Sequence, residues 1–246
     1  MLAVLVNCIA IIIGSLIGVV FSKKISDNLS KVVQTGAGVV TLVIGMEMAL
    51  AYDNIIFLAM AIITGGIIGS WMDIDGRILM VGDVLGRLVL RKSATTKTAV
   101  TEGDGDETGA SNFAYGFLNS SVLFCVGAMA ILGSLKAGID GDYTIIFTKS
   151  VLDGFMAIVF AAGLGIGSAF SALSVLVYQG GLTLLAALVA PYVNDILLAE
   201  LGAAGGVLII MIGLNLIGIA RIKTADYLPA LVLSGIFVVA KDLLVG

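Results

Sequence analysis

The residues best able to do chemistry in this chain are the few strongly polar ones that interrupt long apolar runs. Glu47 sits in GVVTLVIGMEMAL (Gly38 to Leu50) and Asn215 in GVLIIMIGLNLIG (Gly206 to Gly218), each two positions after the second glycine of a near-copied stretch. Asp153 follows Lys149 by four residues, which on a helix places both charges on one face. Asn119 and Gln179 complete the set. In lipid a charge or amide is costly to bury, so such residues mark solute paths, ion paths or proton relays. A buried acid without a cation beside it holds its proton more tightly and can carry it. A buried amide either contacts a solute or joins one helix to another.

Composition says that these residues do lie in lipid. Hydrophobic residues make up 59% of the 246, charged residues only 12%, and the mean hydropathy is +1.15, too little polar surface to solvate a globule of this size. The net charge of -4 says little about partners, since much of the acidity falls in the short segment Glu102 to Glu107. No basic tract points to nucleic acid. With no histidine, and with Cys8 and Cys125 in separate apolar runs, neither a metal site nor a redox pair is expected. No Walker A pattern occurs, so no ATP site is expected and any drive must come from gradients or a partner subunit; no cofactor is expected.

A helix rises about 1.5 Å per residue and must cross about 30 Å of hydrocarbon. Eight stretches meet that requirement: Leu2 to Phe21, Gly36 to Tyr52, Ile55 to Trp71, Phe113 to Leu135, Phe147 to Phe170, Leu173 to Tyr192, Ala203 to Ala220, and Leu228 to Val245. The first is not read as a signal peptide, because Lys23 and Lys24 follow the apolar run instead of preceding it. Lysines and arginines concentrate in alternate loops, which puts both termini outside and residues 73–111 in the cytoplasm of a cell (plasma or inner) membrane. Asp53 and Asn54 should close a tight hairpin between the second and third spans, and Pro229 opens the last span.

The expected fold is therefore an all-α integral membrane protein, one membrane domain over 1–246. Within it, 1–72 and 172–246 form two three-helix units around a central helix pair, 112–171. Ile78, Val81, Val84, Leu85 and Leu88 oppose Asp83, Arg87 and Arg91, so 73–91 reads as an amphipathic helix on the cytoplasmic surface. A shorter amphipathic piece, Ile25 to Val33, is expected after the first span, and 92–111 reads as a flexible polar loop.

The two units look like repeats. NCIAIIIGSLIGVV from Asn7 is echoed from Tyr178, and Ile55 to Gly69 is echoed by Leu228 to Gly235, so spans one to three match spans six to eight. Five spans separate counterparts, an odd number, so the units cross in opposite senses. Inverted repeats of this kind are characteristic of secondary transporters, whose sites lie near the midplane between the repeats. Counting from Gly36 puts Glu47 about 16 Å into its span, near the midplane, with Asn215 mirroring it across a pseudo-two-fold axis. Gln179 and Asn119 fall about 10 Å from the cytoplasmic ends of their spans.

Lys149 and Asp153 fall near the outer boundary, and two readings stand. They are a self-neutralised pair with Lys149 snorkelling outward, or Asp153 attracts a cation or takes a proton at an outer mouth. Glycines divide similarly. Gly14/Gly18 and Gly65/Gly69 have the spacing of close helix packing. Gly163, Gly165, Gly167, Gly180 and Gly181 either pack or break their helices to expose backbone groups.

Three ordered motifs, SSVLFCVGAMAILGSL (Ser120 to Leu135), KSVLDG (Lys149 to Gly154) and YQGGLTLLA (Tyr178 to Ala186), resemble the YqgA/YdfK-type polytopic membrane proteins, domain-of-unknown-function family 554. The resemblance extends from Asn7 to about Val239. It implies a membrane protein and no functional residues, because the family has no settled activity, and Glu47 is not part of its pattern.

From these readings a gradient-driven transporter or channel is expected, with Glu47, Asn119, Asp153, Gln179 and Asn215 along its path. Its partners are the lipid bilayer, a small solute or ion and, in an assembly, further copies of itself. Two other readings remain: a structural or assembly protein whose repeats only pack, and an enzyme acting on lipid. The enzyme is not expected, since Ser120 and Ser121 have no base nearby in sequence.

Overall fold

The computed structural model describes residues 1–22, 27–80, 84 and 105–245. Its helices are α1 (Leu2–Ser22), α2 (Asp27–Ala49), α3 (Ile55–Met72), α4 (Gly105–Cys125), α5 (Ala128–Ile139), α6 (Thr144–Leu164), α7 (Gly167–Leu184), α8 (Ala186–Val189), α9 (Asp195–Ile217) and α10 (Pro229–Val245). Tight 3-10 turns at Ala190–Tyr192 and Thr224–Tyr227 follow α8 and precede α10. Among the described residues there is no strand.

Among those residues six helical segments are long and apolar enough to cross a membrane. Two bent pairs, α4 with α5 and α7 with α8 and its 3-10 turn, turn by 60° and 66° and add two more crossings if each pair is one span. Large apolar side chains such as Leu5, Ile9, Val39, Val43, Ile63 and Ile67 stand exposed on the outside. An apolar exterior on this scale fits lipid and not water.

The packed helix pairs run in senses compatible with eight crossings. α1 and α6 run parallel, with Gly14 against the Gly154 carbonyl and Gly18 against that of Ile158. α4 and α7 are also parallel, joined by the Ser121–Ser174 hydroxyl contact at 2.9 Å and a Phe113–Phe170 edge contact at 5.0 Å. α1 packs antiparallel on α7, where the Cys8 thiol donates to the Ala172 carbonyl at 3.4 Å. α3 packs antiparallel on α10, Gly65 against Ala230 and Phe57 against Phe237.

The tightest antiparallel seam joins α2 and α9 through the glycines of the two near-copies. A Cβ on Gly38 would lie 3.1 Å from the Gly213 carbonyl oxygen, and one on Gly213 would lie 3.0 Å from that of Gly38. The second pair repeats the arrangement, Gly45 to Gly206 at 2.9 Å and Gly206 to Gly45 at 2.7 Å. Without Cβ atoms the two backbones approach closely, and dispersion replaces the hydrophobic drive that lipid does not supply.

Several boundaries differ from the sequence reading. α2 is one helix from Asp27, so Val33 and its neighbours belong to a span, not to a separate interfacial piece. α4 begins at Gly105, inside the polar stretch read as loop, because an apolar helix once nucleated propagates into flanking residues at little cost. Residues 74–80 are helical, whereas most of the amphipathic segment 73–91 and residues 92–104 lie outside the described residues. The turn at Asp53 and Asn54 is tight, with the Asn54 side chain capping Ile56 N–H at 2.9 Å, yet α2 and α3 then part to pack on α9 and α10.

Candidate functional site

Four polar side chains meet inside the bundle. Lys149 Nζ lies 2.7 and 2.6 Å from the two carboxylate oxygens of Asp153, one helical turn along α6. Asn7 on α1 donates from Nδ2 to Asp153 Oδ2 at 3.0 Å and to Gln179 Oε1 on α7 at 3.1 Å. Exposure is 0% for Asn7 and Gln179, 6% for Asp153 and 7% for Lys149, so the group is held by protein and not by bulk water. One half of each amide is unspent: Asn7 Oδ1 and Gln179 Nε2 have no hydrogen-bond partner. Burying such groups costs free energy unless something answers them.

Packing explains why the group forms where it does. Gly14 and Gly154 bring α1 onto α6, so Asn7 reaches a carboxylate one turn further along. Nine residues separate Thr144 from Asp153, about 13 Å of rise, so the acid lies well inside its span and not at the boundary. Because Lys149 is 7% exposed and points at Asp153, the reading in which it snorkels outward is set aside.

Beside this group the fourth span is broken. α4 stops at Cys125 and α5 starts at Ala128, with Gly127 at φ 127° and ψ 150°, a conformation that L residues avoid. Val126 N–H still reaches Val122 and Ala130 N–H reaches Gly127, but the ladder does not run through. A helix end leaves carbonyls without intrahelical partners, so a break inside a span exposes backbone polarity there. Cys125 sits at this break within electrostatic reach of both Lys149 and Asp153. It also lines a cavity of about 340 Å³ with Ser121, Val126, Gly127, Ser174 and Tyr178.

Asp153 and Gln179 therefore come together, and the other three predicted path residues do not join them. Glu47 and Asn215 do not face each other at the midplane. Each stands two residues before the end of its helix, Ala49 or Ile217, so the repeated polar position marks where a span stops. Glu47 is exposed. Asn215 is used up in clamping the following turn, donating to the Ile222 carbonyl at 2.8 Å and accepting from Ile222 N–H at 2.7 Å. Along the seam Glu47 lies near Gly206, nine residues from Asn215, or about 14 Å.

Asn119 is buried on α4 and donates to the Tyr115 carbonyl at 2.8 Å, leaving its own carbonyl oxygen without a partner. Gln179 is not near the start of its span but twelve residues along α7. None of the five glycines breaks a span. Gly163 is helical, Gly165 (φ 81°) forms the turn between α6 and α7, and Gly167 starts α7 against the Phe113 carbonyl. Gly180 and Gly181 lie within α7, and the chain bends only at Leu185.

Two further buried groups, Asn7 and Glu200, are not among the residues expected from the sequence. Asn7 interrupts an apolar run just as Glu47 does, and that signal was available. Glu200, 0% exposed, lies just before the stretch that the sequence reading starts at Ala203; it accepts the Asn54 backbone N–H from the turn before α3. Outside the spans, Asp75 N–H donates to Asp226 Oδ1 at 2.9 Å and Ala225 N–H donates to Asp75 Oδ1 at 3.2 Å. Burial pushes the Asp75 carboxyl above its ordinary value, with that Ala225 N–H pulling the other way. At the exposed Asp142 the Thr144 backbone N–H pulls the carboxyl below its ordinary value.

The fold and this site define a multi-pass helical membrane protein with a buried ion pair beside a discontinuous helix. The chain belongs to the family described as "Protein of unknown function (DUF554)", whose model matches residues 2–239. It is 30% identical to "Uncharacterized membrane protein YdfK" of Bacillus subtilis (strain 168), over 95% of this chain and 93% of that one. It is 26% identical to "Uncharacterized protein YqgA" of Escherichia coli (strain K12), over 93% of this chain and 92% of that one. No solved structure matches it.

Proposed function

We propose that the protein is a gradient-driven transporter or channel for a small solute or ion, working at the Asn7–Lys149–Asp153–Gln179 group. The observation that carries this reading is an ion pair and two half-unspent amides buried beside a break in a membrane helix. Ionisable residues within spans are costly and are kept where they serve a path, and non-helical backbone at that depth is tolerated where it lines a cavity. Catalysis is not part of the proposal.

The reciprocal contacts Gly38–Gly213 and Gly45–Gly206 support the further reading of an inverted repeat, since a two-fold axis exchanges equivalent positions in this way. So does the packing of α1, α2 and α3 on α7, α9 and α10 respectively. The proposed orientation keeps both termini outside a cell membrane, with Arg77, Arg221 and Lys223 on the cytoplasmic side.

A structural role has one observation in its favour: Lys149 and Asp153 already neutralise each other. Flux separates the two. In proteoliposomes the wild type is expected to move at least one solute in a panel of ions and small metabolites. Asp153→Asn should abolish or uncouple that flux, and Glu47→Gln should leave it unchanged. Equal flux in wild type and Asp153→Asn removes the site from the mechanism, and no flux of any solute removes transport.

A further inference from the structure

Resting on the transport reading above, we infer that the buried group takes a small monoanion together with one proton, Lys149 holding the anion and Asp153 the proton. The inventory of donors carries it. Lys149 spends two contacts on Asp153, Asn7 Nδ2 is shared between Asp153 and Gln179, and Gln179 Nε2 is buried with no acceptor at all. One carboxylate thus answers nearly every donor; Gln179 Nε2 has no acceptor, and Asn7 Oδ1 has no donor.

Protonation of Asp153 from the aqueous phase turns that carboxylate into a neutral acid. The lysine is then a buried cation without a counter-ion, a state far costlier than the pair. A small anion restores the balance: it accepts from Lys149 Nζ, Asn7 Nδ2 and Gln179 Nε2, and the site returns to zero net charge. Proton and anion therefore favour each other's binding by linkage. A cation would instead have to lie beside the Lys149 ammonium at low dielectric, where like charges repel strongly.

The other ionisable groups on the elements packed around Asp153 are few. Cys125 from α4 lies beside it, with Cys8 from α1 and Tyr178 from α7 next to Cys125. Thiols and phenols ordinarily titrate above about 8. α2 and α5 also pack on α6, and their Lys31, Glu47 and Lys136 lie toward helix ends.

The test is binding to the purified full chain. Chloride, nitrate and formate are each exchanged for gluconate at constant ionic strength, and thermal stability is followed at pH 5.5 and 7.5. At least one anion should stabilise the protein more at pH 5.5, its apparent Kd rising about tenfold per pH unit once Asp153 loses its proton. In Asp153→Asn the same anion should bind with no pH dependence, and in Gln179→Glu, which still accepts from Asn7, binding should fall at least tenfold. No stabilisation by any of the three anions, or an unchanged pH dependence in Asp153→Asn, overturns the inference.

The flux assay keeps the two readings apart. Cation flux that Asp153→Asn abolishes, with no anion binding, would leave transport standing and sink the anion site. Proton-linked anion binding with no flux would do the reverse.

Discussion

At the scale of residues, Lys149 and Asp153 stabilise each other only as a pair. Lys149→Ala strands a buried carboxylate, and a loss of about 3–5 kcal/mol is expected, measured as thermal stability in detergent. The double variant Lys149→Met, Asp153→Asn should recover most of it, because a neutral pair of similar size leaves no charge behind. Asp75 makes a prediction of the opposite sign to most acids. Its folded carboxyl titrates above its ordinary value, so its contribution to stability is present at low pH and is lost as pH rises through the folded value. Asp75→Asn should remove that pH dependence while keeping the acceptor for Ala225 N–H, as pH-dependent melting would show.

This pair was legible in the sequence, since a spacing of four on a helix puts the two charges on one face within reach of each other. Asn7, which joins the pair, and Glu200, which holds the turn before α3, were harder to read. Asn7 visibly interrupts an apolar run, but its partner is known only when α1 is laid on α6, and Glu200 falls inside a helix only when α9 is known to begin at Asp195. The polar members of the near-copied spans were legible as equivalents but misread in role. Spacing shows that Glu47 and Asn215 correspond; it cannot show that both mark helix ends.

At the scale of elements, the α2–α9 seam depends on missing side chains. Gly45→Ala would place a Cβ 2.8 Å from the Ile210 nitrogen and 2.9 Å from the Gly206 oxygen, both backbone atoms, so a cost of about 1–3 kcal/mol is expected. Gly36→Ala on the same helix meets nothing within 4 Å and should be neutral or stabilising by up to about 1 kcal/mol. Comparing the two variants by thermal unfolding separates close approach from helix propensity. The glycine repeat was thus readable in advance as a packing motif, whereas the break at Gly127 was not. One glycine in VLFCVGAMAIL is compatible with a straight span, and only the surrounding fold selects φ 127° there.

At the scale of the whole molecule, the eight apolar stretches were visible because bilayer thickness sets their length. Their ends were not, since polar residues such as those from Gly105 onward can extend a helix beyond the lipid. The same bundle has to do two opposed things: hold a buried charge pair dry enough to be strong, and let a solute reach it. None of the four site residues lines the cavity at the α4–α5 break, but Cys125 does, and it lies within electrostatic reach of the pair, which makes it a native reporter.

With Cys8 replaced by serine, Cys125 is the sole thiol of the chain. Its modification by a small, charged, membrane-impermeant thiol reagent can be followed by mass in proteoliposomes, with reagent added outside or trapped inside. A site that serves passage across the membrane predicts modification from both faces, slowed by the solute that the protein carries. Modification from neither face, or from one face only under every condition, would contradict the account and leave Lys149 and Asp153 as a packing device.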